Sequence, residues 1–218
     1  MKKVKNDKEF ERLLRDDHFR VTIFGSARIK KGGKEYKMVY ELAKKIGERG
    51  IDIVTGGGPG IMEAANKGHK EGSKKSDAHS IGLGIKLPHE QAFNNSVGIK
   101  KTFNRFSSRL DNFMLLSNVV VVAPGGVGTL LELFYTWQLM QVKHICNLPI
   151  ILLGDSWPGL LKWLNNSPLK RGFFEKKDVE LLYHAKNYDE AIKIIDKAYE
   201  EFKKGNKDFC LNYKKYKV

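Results

Sequence analysis

Residues 119–132 read VVVVAPGGVGTLLE, and this stretch predicts the fold of the chain. Four consecutive valines are typical of a strand that is buried on both faces of a sheet. A proline and two glycines end the run, and apolar residues at helical spacing follow from Leu130 onward. The stretch therefore predicts a strand, a glycine turn and a helix, which is a unit that binds anions at the helix N-terminus.

The same unit occurs twice earlier in the chain. Residues 20–24 (RVTIF) predict a first strand that ends at Gly25 and Ser26, and residues 51–55 (IDIVT) predict a second strand that runs into the glycine-rich loop 56–60. Further strands are predicted at 79–85, 119–122, 149–153 and 179–184, with a short strand within 92–103. Helices are predicted at 34–49, 61–70, 103–116, 134–142, 159–165 and 189–204.

The alternation of strands and helices predicts an α/β protein, a Rossmann-like doubly wound parallel sheet with helices on both faces. The 218 residues, 41% of them hydrophobic, are enough for one substantial core and favour a single domain. We expect an N-terminal helical extension at 1–19, the nucleotide-binding domain at 20–205, and a basic C-terminal tail at 206–218.

Composition narrows the class of partner. The net charge of +14 and the pI near 9.6 favour a phosphorylated or polyanionic partner. The lysines are dispersed and form no aromatic-interleaved stripe, so nucleic acid is not the expected partner.

The sequence also predicts a cytoplasmic protein. Residues 1–20 lack a signal-type apolar core, and no apolar run approaches the roughly 20 residues of a membrane span. The two cysteines, Cys146 and Cys210, lie far apart, which predicts no disulfide framework. The six histidines show no ligand spacing, so no metal site is predicted.

The carboxyl ends of parallel strands meet at one edge of an open sheet, where ligands bind. We therefore expect the glycine turns and the Thr129 hydroxyl to hold a phosphate or nucleotide. The predicted binding residues are Gly25, Ser26, Gly57, Gly58, Gly125, Gly126, Gly128 and Thr129. Glu90 and Asn94, in the loop after the third strand, and Asn112 are candidate contacts to a base or ribose.

Glu132 is the unexpected residue in the stretch 119–132. A carboxylate about one helical turn beyond a phosphate loop repels a phosphate, which indicates a role other than anion binding. The alternative is an acidic residue that the helix dipole stabilises, a common placement.

Three features together resemble the LOG (Lonely Guy) family. Residues 124–132 fit the pattern PGGxGTxxE, residues 56–64 resemble the family's second glycine motif, and Arg109 precedes the strand at 119–122. The resemblance extends over roughly residues 20–200, with the motifs in the family's order.

The resemblance implies a nucleoside 5′-monophosphate phosphoribohydrolase that releases free base and ribose 5-phosphate without a cofactor or metal. It assigns catalytic roles to Glu132 and Arg109, and it implies at least a homodimer. An AMP-like nucleotide or another phosphorylated small molecule is the expected ligand. A carboxylate near the anomeric carbon stabilises an oxocarbenium-like state or activates water. For Arg109 the alternative is a structural salt bridge with Asp111 or Glu132.

The sequence departs from the plant-type pattern of the family in one place, and this difference concerns which nucleotide is the substrate. Plant-type members carry lysine directly after the arginine and a glutamate two residues further on, whereas Leu110 and Asn112 stand at these positions. This difference favours a general nucleotide hydrolase over a dedicated cytokinin enzyme. The alternative class is a non-catalytic carrier of a nucleotide or of a molybdenum-cofactor-type ligand, which needs the glycine turns but no Glu132–Arg109 pair.

Overall fold

The computed structural model describes residues 8, 10–14, 16–86 and 92–205. Seven strands form one parallel sheet: β1 Arg20–Phe24, β2 Asp52–Thr55, β3 Ser80–Ile85, β4 Ile99–Phe103, β5 Val119–Val122, β6 Ile150–Leu153 and β7 Leu182–Ala185. The strand order is β4-β3-β2-β1-β5-β6-β7, and every pairing is parallel.

Helices cover both faces of the sheet. They are α1 Lys34–Glu48, α2 Ile61–Gly72, α3 Phe106–Leu116, α4 Val127–Gln141, α5 Pro158–Leu164, α6 Lys176–Val179 and α7 Tyr188–Lys203. One buried cluster joins one face of the sheet to α1, α2 and α7, and the other cluster joins the opposite face to α3, α4, α5 and residues 10–14. The predicted doubly wound α/β fold is therefore confirmed.

The valine run forms the centre of both cores. Val119 and Val121 pack in the cluster with α1, α2 and α7, whereas Val120 and Val122 pack in the cluster with α3 and α4. All four side chains are fully buried, because a strand covered on both faces needs an apolar residue at every position. This requirement explains why the strand lacks the alternation of a half-exposed one.

Three element boundaries differ from the prediction by three residues or more. Strand β7 begins at Leu182 and not at 179, because Lys176–Val179 form α6. Strand β4 takes residues 99–103, so α3 begins at Phe106 and not at 103. As an edge strand, β4 carries half-buried Lys100 and Lys101, which weakens its apolar pattern. Helix α4 begins at Val127, directly after the glycine turn, because Gly126 is its N-cap.

The strand order reverses once, between β1 and β5, and this position is the topological switch point of the sheet. The chain builds outward from β1 through β2 and β3 to β4, and α3 then returns it to β5 on the other side of β1. Ser26 N donates to Pro124 O at 3.1 Å, so the turns after β1 and β5 are joined directly. Open α/β sheets bind ligands in the crevice at this point.

The structure also bears on the predictions made for the cysteines, the C-terminal tail and membrane spans. Cys146 is disulfide-bonded, which the expected absence of a disulfide framework did not anticipate. Cys210 and the predicted tail 206–218 lie outside the described residues. Among the helices of the described chain, none has the length and apolar character to cross a membrane.

Candidate functional site

A cavity of about 430 Å³ lies at the carboxyl ends of β1 and β5. Its walls come from the turn after β1, the start of α4, and side chains of α2 and α3. The lining residues are Ile23, Phe24, Gly25, Ser26, Ala27, Arg28, Gly56, Met62, Ile85, Phe106, Arg109, Gly126, Val127, Gly128, Thr129 and Glu132. The cavity therefore occupies the switch point of the sheet.

The glycine turn before α4 has two kinds of glycine. A Cβ atom on Gly125 would lie 2.1 Å from Thr129 Oγ1, so this glycine allows the turn to pack against the helix. Cβ atoms on Gly126 and Gly128 would meet nothing within 4 Å, so these two glycines open the backbone to the cavity. The first amides of a helix have no partner within the helix, which makes this end suited to an anion.

The turn after β1 packs on the start of α2. A Cβ atom on Gly25 would lie 2.5 Å from Ile61 Cγ2, and Ile61 N donates to Ser26 O at 3.0 Å. Gly60 has a φ of +66°, which places the Ser26 carbonyl against its Cα. These contacts fix the turn at the rim of the cavity.

Glu132 on α4 and Arg109 on α3 meet in the cavity wall. Arg109 Nη1 lies 3.4 Å from Glu132 Oε1, and the two side chains are only 10% and 13% exposed. Arg109 Nε donates to Leu83 O at 2.7 Å, and its Cζ lies 5.0 Å from the ring centroid of Phe113. A Cβ atom on Gly56 would lie 2.5 Å from Arg109 Nη2, so a glycine at 56 leaves room for the guanidinium.

Burial changes the proton affinity of both groups. It raises the pKa of Glu132 to about 7, and the charge of Arg109 offsets this only in part. Burial also lowers the pKa of Arg109, against the opposing effect of Glu132. A carboxyl group that titrates near neutral pH is suited to general acid–base catalysis.

The structure brings most of the predicted site together. Glu132, Arg109, Gly25, Ser26, Gly126, Gly128 and Thr129 all line the cavity. Gly57 and Gly58, which were predicted to bind the phosphate or nucleotide, do not line the cavity; Gly56 lines it instead, because the loop turns away after that residue. Gly57 has a φ of +74° and packs on Phe93.

The candidate contacts to a base or ribose have other roles or lie elsewhere. Asn94 Nδ2 donates to the carbonyls of Gly57 and Gly58 at 3.0 and 2.9 Å, so this amide holds the glycine loop. Asn112 Nδ2 donates to Ser108 O within α3. Neither side chain lines the cavity. Glu90 falls outside the described residues.

The sequence analysis missed the apolar part of the cavity. Met62, Ile85 and Phe106 provide it, and Phe106 is 50% exposed. Phe106 stands three residues before Arg109 on α3, and residues at this spacing share a helix face. That spacing was a signal for Phe106, whereas nothing in the sequence distinguished Met62 or Ile85 from core residues.

A parallel sheet with glycine turns and a cavity at its switch point defines a Rossmann-like α/β protein. Residues 62–195 match the family model described as "Possible lysine decarboxylase". The chain belongs to this family, which is the LOG-type family that the motifs resemble.

Two relatives are named as enzymes that act on 5′-monophosphates. The chain is 30% identical over 129 residues to the pyrimidine/purine nucleotide 5′-monophosphate nucleosidase of Escherichia coli K12. That match covers 55% of this chain, but the chain spans only 28% of the relative. The chain is 25% identical over 185 residues to the cytokinin riboside 5′-monophosphate phosphoribohydrolase LOG of Oryza sativa, covering 83% of this chain and 74% of the relative.

Solved structures of molybdenum cofactor proteins share the fold. The molybdenum cofactor carrier protein of Chlamydomonas reinhardtii is 26% identical, with a TM-score of 0.63 over 84% of this chain and 99% of that one. The molybdenum cofactor binding protein of Rippkaea orientalis is 23% identical, with a TM-score of 0.60 over 83% and 96%. The second similarity concerns the fold alone.

Proposed function

We propose that this chain is a nucleoside 5′-monophosphate phosphoribohydrolase, which hydrolyses the N-glycosidic bond to free base and ribose 5-phosphate. The observation that carries the proposal is the buried Glu132–Arg109 pair beside the helix N-terminus in the wall of one cavity. The names of the two enzyme relatives support the same chemistry.

The cavity has separate places for the parts of a nucleotide. The 5′-phosphate binds at the start of α4, where Gly126, Gly128 and the buried Thr129 lie. The base contacts the apolar wall formed by Met62, Ile85 and Phe106. The ribose then lies between them, with its anomeric carbon facing Glu132.

The reaction consumes one water. As the bond from the anomeric carbon to the base nitrogen breaks, its electron pair leaves with the base and the ribosyl group becomes oxocarbenium-like. Glu132 stabilises this positive charge and accepts a proton from the attacking water. The oxygen of that water becomes the 1-hydroxyl of ribose 5-phosphate. The departing base takes a proton from solvent, and Glu132 releases the proton it accepted to solvent, so the carboxylate is restored.

Arg109 keeps part of Glu132 ionised near neutral pH. Its charge opposes the effect of burial on the pKa of that carboxyl. The hydrogen bond from Nε to Leu83 O and the contact with Phe113 fix the guanidinium, so Arg109 also orients Glu132.

A homodimer through α4 accompanies this proposal. Val127, Leu131 and Phe134 on α4 are 85%, 46% and 38% exposed, and the exposed Phe106 of α3 adds to the apolar surface. Apolar side chains on a helix surface mark a contact with a partner. Light scattering during gel filtration would give twice the chain mass, and a monomer would contradict this assembly.

A second candidate is a non-catalytic carrier of a molybdenum-cofactor-type ligand. The structural similarity to the carrier of Chlamydomonas reinhardtii favours it, because that similarity covers nearly the whole carrier. A carrier requires a phosphate site and a cavity, but it does not require a buried carboxyl group whose pKa lies near neutral pH.

The test is incubation of the purified chain with AMP, GMP, IMP, CMP and UMP, followed by chromatography of the free base. We expect base and ribose 5-phosphate in equal amounts from at least one nucleotide. Adenosine, which lacks the phosphate, is the matched control and should release far less base than AMP. If no nucleotide releases base while wild type and Glu132→Gln bind nucleotides equally well, the carrier reading replaces the hydrolase.

A further inference from the structure

A second group of polar side chains lies at the amino edge of the sheet, opposite the cavity. His18 precedes β1, Asp52 is the first residue of β2, and His79 directly precedes β3. Because β1, β2 and β3 are neighbouring parallel strands, their amino ends lie side by side. One ligand atom from each of the three side chains lies within 4.8 Å of the others.

The spacing of these atoms is that of metal ligands. His18 Nδ1 lies 3.5 Å from Asp52 Oδ2, and His79 Nδ1 lies 3.4 Å from Asp52 Oδ1. Each imidazole nitrogen thus lies near a different oxygen of one carboxylate, at about the 3.4 Å that separates two ligands of a tetrahedral zinc ion with bonds of about 2.1 Å.

Burial and access support the same interpretation. The Asp52 side chain is 1% exposed, and its Oδ2 atom accepts no hydrogen bond within the described part of the chain. Buried polar atoms without such a bond are rare and call for an explanation. His18 is 50% exposed and provides the route by which an ion enters.

Neighbouring groups hold the ligands in place. His79 N donates to Asp52 Oδ1 at 2.7 Å, which orients the carboxylate. Arg20 Nε lies 3.5 Å from Asp52 Oδ2, and Arg20 Nη2 donates to Leu13 O at 2.7 Å. The guanidinium is thus held toward residues 13–16, and it balances part of the carboxylate charge.

From this geometry we propose that His18, Asp52 and His79 bind one Zn²⁺ ion, with water as the fourth ligand. Two imidazoles and a carboxylate suit zinc better than Mg²⁺ or Ca²⁺, which prefer oxygen ligands. The ion joins the segment before β1 to the starts of β2 and β3, at the edge of the sheet away from the cavity. Its role is to stabilise the fold.

The test is calorimetric titration of the tag-free, EDTA-treated and dialysed full chain with Zn²⁺, with Mg²⁺ as a second titrant. We expect one Zn²⁺ per chain, no binding of Mg²⁺, and a higher thermal midpoint with Zn²⁺ than with EDTA. His18→Ala and His79→Ala should each weaken zinc binding by at least about tenfold.

The matched control is His144→Ala, since His144 is an exposed histidine after α4. It should bind zinc as wild type does. His18 is half-exposed, so His18→Ala should fold normally, which circular dichroism with EDTA would show. Absence of zinc binding, or binding that His18→Ala and His79→Ala leave unchanged, would overturn the proposal. Neither result depends on nucleotide hydrolysis.

Discussion

Two buried arginine–carboxylate pairs lie at opposite edges of the same sheet, and they differ in a way that distance and burial do not explain. The closest measured contacts are 3.4 Å for Arg109–Glu132 and 3.5 Å for Arg20–Asp52. No side chain of the four is more than 13% exposed. Yet the pKa of Glu132 is raised to about 7, whereas the pKa of Asp52 lies below its usual value.

The number of favourable partners accounts for the difference. Burial acts to raise the pKa of Asp52, but hydrogen bonds from His79 and the charge of Arg20 act in the opposite direction, and the pKa lies below its usual value. At Glu132, the charge of Arg109 is the one opposing influence among the described residues, and burial outweighs it. Among the described residues, the carboxyl with several favourable partners keeps a low pKa, whereas the carboxyl that only Arg109 stabilises has a pKa near neutral, as the proposed proton transfer requires.

The largest expected effect is on catalysis at the carboxyl edge. Glu132→Gln removes the base while keeping the shape of the side chain, so we expect the hydrolysis rate to fall about 10³-fold. Release of base from the preferred nucleotide measures the loss. Glu48→Gln, a change at an exposed position near the end of α1, is the control and should leave the rate unchanged. A fall of less than about tenfold would remove Glu132 from the chemistry.

The next effect is on stability at the amino edge. Asp52→Asn leaves Arg20 buried without its countercharge, so we expect the free energy of unfolding to fall by about 3–5 kcal/mol at pH 7. Urea denaturation in the presence of EDTA measures the change. Asp155→Asn removes an exposed carboxylate from its pair with Lys34 and should have no measurable effect. Equal midpoints for the two variants would contradict the structural role of Asp52.

Removing the charge of Glu132 should raise the stability of the protein, whereas removing the charge of Asp52 should lower it. Its pKa is raised from 4.5 to about 7, so the unfolded chain ionises first and stability falls as pH rises between these values. Glu132→Gln has no charge to bury and should therefore be more stable than wild type by roughly 1–3 kcal/mol at pH 8. At pH 4 the two proteins should unfold alike. A loss of stability at pH 8 would show that the pair stabilises the fold.

The smallest expected effect concerns the pH dependence of hydrolysis. The ionised form of Glu132 is the active one, so kcat/KM should rise with pH and level off above about 7. Arg109→Met removes the positive charge that lowers this pKa, so the residual activity should level off at a higher pH. Rates across a series of buffers at constant ionic strength test this. An unchanged profile would mean that Arg109 does not act on Glu132.

Much of the fold could be predicted from local patterns. The valine run, the glycine turns and the helical spacing each depend on residues that are neighbours in the sequence, and they predicted the sheet and the position of the cavity. The meeting of Arg109 with Glu132 was implied by the resemblance to a family and not by any local pattern.

The remaining features depend on contacts that no local pattern records. The glycine loop turns away after Gly56 because Asn94 and Phe93, from a distant segment, hold Gly57 and Gly58. The approach of His18 to His79 depends on the order of the strands. For the same reason, six histidines without ligand spacing gave no sign of a metal site.

The glycine at position 56 has a consequence for the proposed activity of this chain. A single methyl group there would meet Arg109 Nη2 at 2.5 Å and displace the guanidinium, while the glycine turn before α4 would stay as it is. Such a protein would keep its anion site and lose the partner of its carboxyl group. If the proposed function holds, one substitution outside Glu132 and Arg109 would separate holding a ligand from cleaving it, and residue 56 is a position at which to compare hydrolases with carriers.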